Sequence, residues 1–146
     1  MTKVHQRRGS LPLPSSSTRE RQKSKGRTII IGSRDLDELE RLCGQLVILE
    51  RGEVACEGEP NNLIRLHVGR EVIEYAVGAE ELDYHLQALG GKYQYQVISD
   101  RLRIYLPEAV DISTALRWVP SEKVVVRRAR LEDVYSKVIG RDLGAL

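Results

Sequence analysis

The chain has 146 residues and no phenylalanine, one tryptophan, one methionine and two cysteines. Cys43 and Cys56 form no C-x-x-C pair and have no histidine at ligand spacing, so no zinc site is expected. Both read as small buried hydrophobes in a reducing compartment. No apolar run approaches the roughly 18 residues of a membrane span, and the first residues lack the apolar block of a secretory signal. Direct membrane insertion is not expected, and the cytoplasm is the default location. His67 and His85 have no second histidine, cysteine or aspartate at a spacing that builds a triad or a metal centre. No stretch reads G-x-x-x-x-G-K-[ST], so no backbone loop cradles phosphates and no lysine holds a β/γ pair.

What is present divides by charge. The first 27 residues hold eight Lys/Arg and one Glu, whereas the remainder holds fifteen and twenty. A basic head therefore precedes an acidic body. Residues 1–26 contain "RRGSLPLPSSSTRERQKSKG", in which prolines, serines and charges leave nothing to pack, and they read as a linker or disordered segment. A chain of this length buries about two thirds of its unfolded surface, enough for one sound core or two small ones.

From Arg27 the pattern is strand, helix, hairpin, helix. "TIIIG" is a β-branched run of the kind found in strands covered on both faces. Leu36, Leu39, Leu42 and Cys43 then recur at helical spacing, with Ser33 or Asp35 as N-cap. Leu46 to Leu49 and Val54 to Cys56 flank Arg51-Gly52 as a hairpin, and Pro60 opens a further helix. From Gly69 the rhythm changes. Glu71 to Val77 alternates, Ala79 to Leu89 is helical up to Gly90-Gly91, and "KYQYQVI" and "RLRIYL" alternate around Ser99-Asp100. Asp111 caps another helix, "KVVVRR" is a strand, and Leu131 to Ile139 a last helix. The order βαββαβ predicts an α/β (α+β) fold whose second part is a ferredoxin-like sandwich. The expected divisions are 1–26 (head), 27–68, and 69–146.

The stretch "GRTIIIGSRDLDELERLCGQLVILERGEVACEGEP" resembles the end of an ABC-transporter ATPase domain, with its D/E-x-x-E-R-L-C pattern and R-G-x-x-x-x-x-G-x-P hairpin. The ending "LEDVYSKVIGRDL" is similar to the close of the bacterial drug-export and nodulation-type ATPases. The resemblance implies a remnant of the ATPase's C-terminal subdomain followed by an accessory domain. It places Arg34 where the family has its switch histidine, and the phosphate-binding motifs would precede Thr28. It further implies a transporter ATPase or permease as partner, and a peripheral position at the inner membrane through that partner.

The residues themselves leave several readings. Arg34 with Ser33 is a weak anion candidate at a helix start, and otherwise a surface ion-pair partner. No catalytic residue, cofactor or metal is expected. Arg101, Arg103, Tyr105 and Arg127 are the candidate interaction surface, since basic and aromatic residues on a four-stranded sheet can stack RNA bases. The RNP-like segment is missing, so nucleic acid stays a minority reading. Arg130 stands where a capping Ser, Thr or Asn is usual, which weakens the last helix's start. The expected function is non-catalytic protein association with a transporter or, through open sheet edges, with a second copy. The alternatives are a ligand- or RNA-binding module and a truncated, inactive ATPase fragment.

Overall fold

The structure is a computed structural model that describes residues 28–117, 119 and 124–140. The basic head lies outside the described residues. Contacts divide the chain into Met1–Ser33 and Arg34–Leu146.

In the first unit, residues 28–33 have no regular structure and Ile30 is 84% exposed. The strand expected at "TIIIG" is thus not formed. A strand exists through a neighbour that takes its N–H and C=O groups, and among the described residues none pairs with this run.

The second unit begins with α1 (Leu36–Leu42), whose N-cap Asp35 accepts the Glu38 N–H at 2.9 Å. Strands β1 (Leu46–Glu50) and β2 (Glu53–Gly58) form a two-stranded antiparallel sheet. Arg51 (φ 50°) and Gly52 (φ 87°) supply the two positive φ angles of a tight hairpin turn. Pro60 opens α2 (Pro60–His67) at its first position, where its missing N–H costs nothing. Gly69 (φ 82°) then turns the chain so closely that a Cβ there would stand 2.2 Å from the Leu106 carbonyl oxygen.

Strands β3 (Glu71–Ala76), β4 (Gln94–Ile98), β5 (Arg101–Leu106) and β6 (Val125–Arg128) form one sheet in the order β4-β5-β3-β6. Every neighbouring pair is antiparallel, so β5 is inserted between two strands of the same sense. Helices α3 (Ala79–Leu89) and α4 (Ile112–Leu116) follow β3 and β5. Their apolar residues close the core with Ile73, Tyr75, Leu102, Ile104 and Leu106 on one sheet face. Within it Tyr75 Oη meets His85 Nδ1 at 3.3 Å, and burial raises the tyrosine's pKa.

The opposite face carries the other parity of each strand. Register places Glu74 across from Arg103 on one side and Val125 on the other, and Val72 between Tyr105 and Arg127. Helix α5 (Leu131–Ile139) packs against α1, α2 and β2.

Candidate functional site

Beneath α5 the polar sheet face is a network of charges. Glu74 is its centre: Oε1 accepts from Arg101 Nε at 2.5 Å, and Oε2 accepts from Arg103 Nε at 3.1 Å and Arg127 Nη2 at 3.2 Å. Burial pushes the Glu74 carboxyl up, but Arg103's charge and the hydrogen bonds from Arg101 and Arg127 outweigh it and hold the group below its ordinary value. Asp133 of α5 is 1% exposed and takes both Arg127 amines, Nη1 at 2.8 Å and Nη2 at 2.7 Å. That forked pairing raises the Arg127 pKa.

Around this centre lie uncharged partners. Tyr105 is 2% exposed and donates to Gln96 Oε1 at 2.9 Å. Gln96 Nε2 in turn donates to the Ser136 carbonyl of α5 at 2.9 Å. Burial first, then the Asp133 charge, pushes the Tyr105 hydroxyl up to about 12, so it remains a donor at neutral pH. Lys137 stands 5.4 Å above the Tyr105 ring and donates to the His67 carbonyl and to Gln94. Its burial lowers its pKa.

The start of α5 is completed from elsewhere in the chain. Arginine has no acceptor, so Arg130 cannot cap the helix through its side chain. Asp133 Oδ2 accepts the Arg130 N–H at 2.9 Å, and Glu40 of α1 accepts the Leu131 N–H at 2.8 Å. A carboxylate at a helix N-terminus satisfies both the orphan donor and the positive end of the dipole.

The sequence-picked residues Arg101, Arg103, Tyr105 and Arg127 do share one sheet face: the three arginines pair with Glu74 and Asp133, Tyr105 is buried beside them under α5, and Arg101 at the margin stays 42% exposed. Tyr105 offers no ring to a stacking base. Arg34 is exposed and precedes the N-cap of α1, with Ser33 half-buried before it. Neither residue lines the open cleft beside the network. Sequence reasoning missed Glu74, Gln96, Asp133, Lys137 and Glu40. The cross-strand opposition of Glu74 and Arg103 was the available signal, since opposite charges at paired positions stabilise a sheet face. Among the described residues no group of His, Cys, Asp or Glu could hold a metal ion, and no helix is long and apolar enough to cross a membrane.

A second surface lies on the β1–β2 hairpin. Leu46 and Ile48 point inward, whereas Val47, Leu49 and Val54 are exposed, with Leu49 paired to Val54 and 61% exposed. Three large apolar side chains on one side of a two-stranded sheet form a patch that a polar hairpin would not carry.

No family model matches the chain. It is similar to ATP-binding proteins of transport systems. "Nod factor export ATP-binding protein I" of Mesorhizobium japonicum is 31% identical over 120 residues, covering 82% of this chain and 35% of the relative. The proteins of the same name from Rhizobium etli and a Bradyrhizobium strain are 32% and 36% identical over 122 residues, covering 82% of this chain and 38% and 39% of the relatives. These matches support the relation of the chain to a C-terminal part of an ABC-transporter ATPase. The chain spans little more than a third of the length of the curated relatives it matches.

Proposed function

We propose that the chain is a non-catalytic accessory of an ABC transporter that associates with the transporter's ATP-binding subunit through the outer face of the β1–β2 hairpin. The observation that carries this reading is the exposed Val47, Leu49 and Val54 on a sheet of only two strands. In the relatives the corresponding stretch belongs to an ATP-binding polypeptide nearly three times as long as the matched part. A related ATP-binding subunit is thus the partner whose chemistry fits an apolar hairpin of this kind. The strand-prone run containing exposed Ile30 is a second apolar segment without a paired strand among the described residues. Non-catalytic action fits the absence of any phosphate-cradling glycine loop in the 146 residues. The reading includes a cytoplasmic, membrane-peripheral position through the partner. It also includes the division into residues 1–26, 27–68 and 69–146, which limited proteolysis of the full chain tests at the 68/69 connection.

The test mixes the purified full chain with a purified ATP-binding subunit of the Nod factor export type and follows complex formation by size exclusion. Leu49→Asp should abolish the complex and leave the melting temperature within a few degrees, because the side chain is exposed. Equal complex formation by both proteins, or none by either, overturns the reading.

A second reading is self-association. The outer strands β4 and β6 present exposed Val97 and Val126 on open edges. A sedimentation mass of two chains that Val126→Lys halves would favour it.

A further inference from the structure

We propose that the outer edge of β4 is the contact between two copies of this chain, which pair β4 with β4 antiparallel across a two-fold axis and so continue one sheet into the other. The assignment rests on the self-association reading above and selects β4 over β6; it does not depend on the hairpin's partner. An edge strand turns every second N–H and C=O outward, and soluble chains blunt such edges with charges, a proline or a bulge. β4 (Gln94–Ile98) carries none of these: its residues are uncharged and its register with β5 is unbroken. Among the described residues no strand lies beyond it.

The core reaches this edge unfinished. Tyr95 and Val97 stand on the helix-covered face, paired with buried Ile104 and Leu102, yet they remain 46% and 40% exposed. Half-buried Leu82 and Leu86 of α3 pack on the same core. The strand is also complementary to itself. A two-fold axis through Gln96 sets Tyr95 opposite Val97 of the second copy, an aromatic against a β-branched residue on one face. The same operation sets Lys92 at one end opposite Asp100 at the other, so opposite charges meet at both ends of the pair. β6 (Val125–Arg128) lacks this property, because pairing it with itself crowds Arg127 and Arg128 of both copies along one edge. A two-fold contact needs one self-complementary patch, and β4 supplies it.

Sedimentation equilibrium of the full chain over a concentration series should give a mass that rises from one chain to two. Val97→Lys should weaken the dimer at least tenfold by placing a charge in the apolar strip, with circular dichroism establishing that the variant folds, whereas Val126→Lys on β6 should leave it unchanged. Register is read separately by mild oxidation of Tyr95→Cys chains mixed with Val97→Cys chains. Directly opposed positions have Cβ atoms about 4.5–5.5 Å apart, so the mixture should give more reducible covalent dimer than either variant alone. A dimer weakened by Val126→Lys and not by Val97→Lys overturns the choice of β4 and leaves self-association standing. A dimer insensitive to both substitutions, or a mixture that cross-links no better than its components, also overturns that choice. A single-chain mass at every concentration overturns both.

Discussion

Replacing Asp133 with asparagine should be among the most damaging single changes in the chain. The carboxylate is 1% exposed and receives two hydrogen bonds from Arg127 and one from the Arg130 backbone. Asparagine keeps the volume and one acceptor, so the backbone bond at the helix start can survive. The charge is lost, however, and Arg127 is left with Glu74 alone at 3.2 Å. Breaking a buried ion pair by removing one partner costs about 3–5 kcal/mol when the remaining charge is left unpaired, and because Arg127 is 29% exposed and keeps Glu74 the loss lies toward the lower end of that range. For a unit of this size that corresponds to a fall in melting temperature of roughly 10–20 °C. Urea titration followed by circular dichroism measures the free energy, and calorimetry the temperature. The double variant Asp133→Leu with Arg127→Met should recover part of the loss, since an apolar pair of similar volume leaves no orphaned charge although the Arg130 N–H loses its acceptor. A loss below about 1 kcal/mol for Asp133→Asn, which is the range of an exposed pair, would refute the role given to this carboxylate.

The other predictions concern the start of α5, the turn at Gly69 and acid stability. Glu40→Ala should cost about 1 kcal/mol in urea titration, the usual worth of a helix cap, while Glu40→Gln, which retains an acceptor, should cost less. Gly69→Ala should cost more than about 2 kcal/mol, since the new Cβ meets the Leu106 carbonyl at 2.2 Å in a positive-φ conformation. The Glu74 carboxyl is held below its ordinary value of 4.5, so its stabilising contribution is complete above that pH and is lost as the pH falls through and beneath it. Stability measured from pH 6 down to pH 3 should therefore fall less steeply in Glu74→Gln than in the unsubstituted chain.

Periodicity was enough to place most elements, because each buries a face that its own spacing defines. Ile73, Tyr75, Leu102, Ile104 and Leu106 alternate as a strand requires, and all enter one core. The hairpin turn and the Pro60 and Gly90 boundaries were legible because local backbone chemistry decides them. Thr28 to Gly32 reads as a strand by composition, yet pairing depends on a neighbour that composition does not specify. The candidate site was half legible for the same reason. Alternation placed Arg101, Arg103 and Tyr105 together, but their exposure depended on α5, which packs back over them with Asp133 turned inward. Glu40 caps a helix 91 positions away, a contact that no local pattern encodes.

Association through the hairpin with an ATP-binding subunit, proposed above, is tested most directly by the dissociation constant of that complex in calorimetry. Wild-type chain and Leu49→Asp would be titrated into the same purified subunit. Measurable binding is expected for the unsubstituted chain, weakened at least tenfold by the substitution, as follows when an apolar anchor at an interface is replaced by a charge. Equal affinity for the two proteins, or no heat of binding for either, would contradict it.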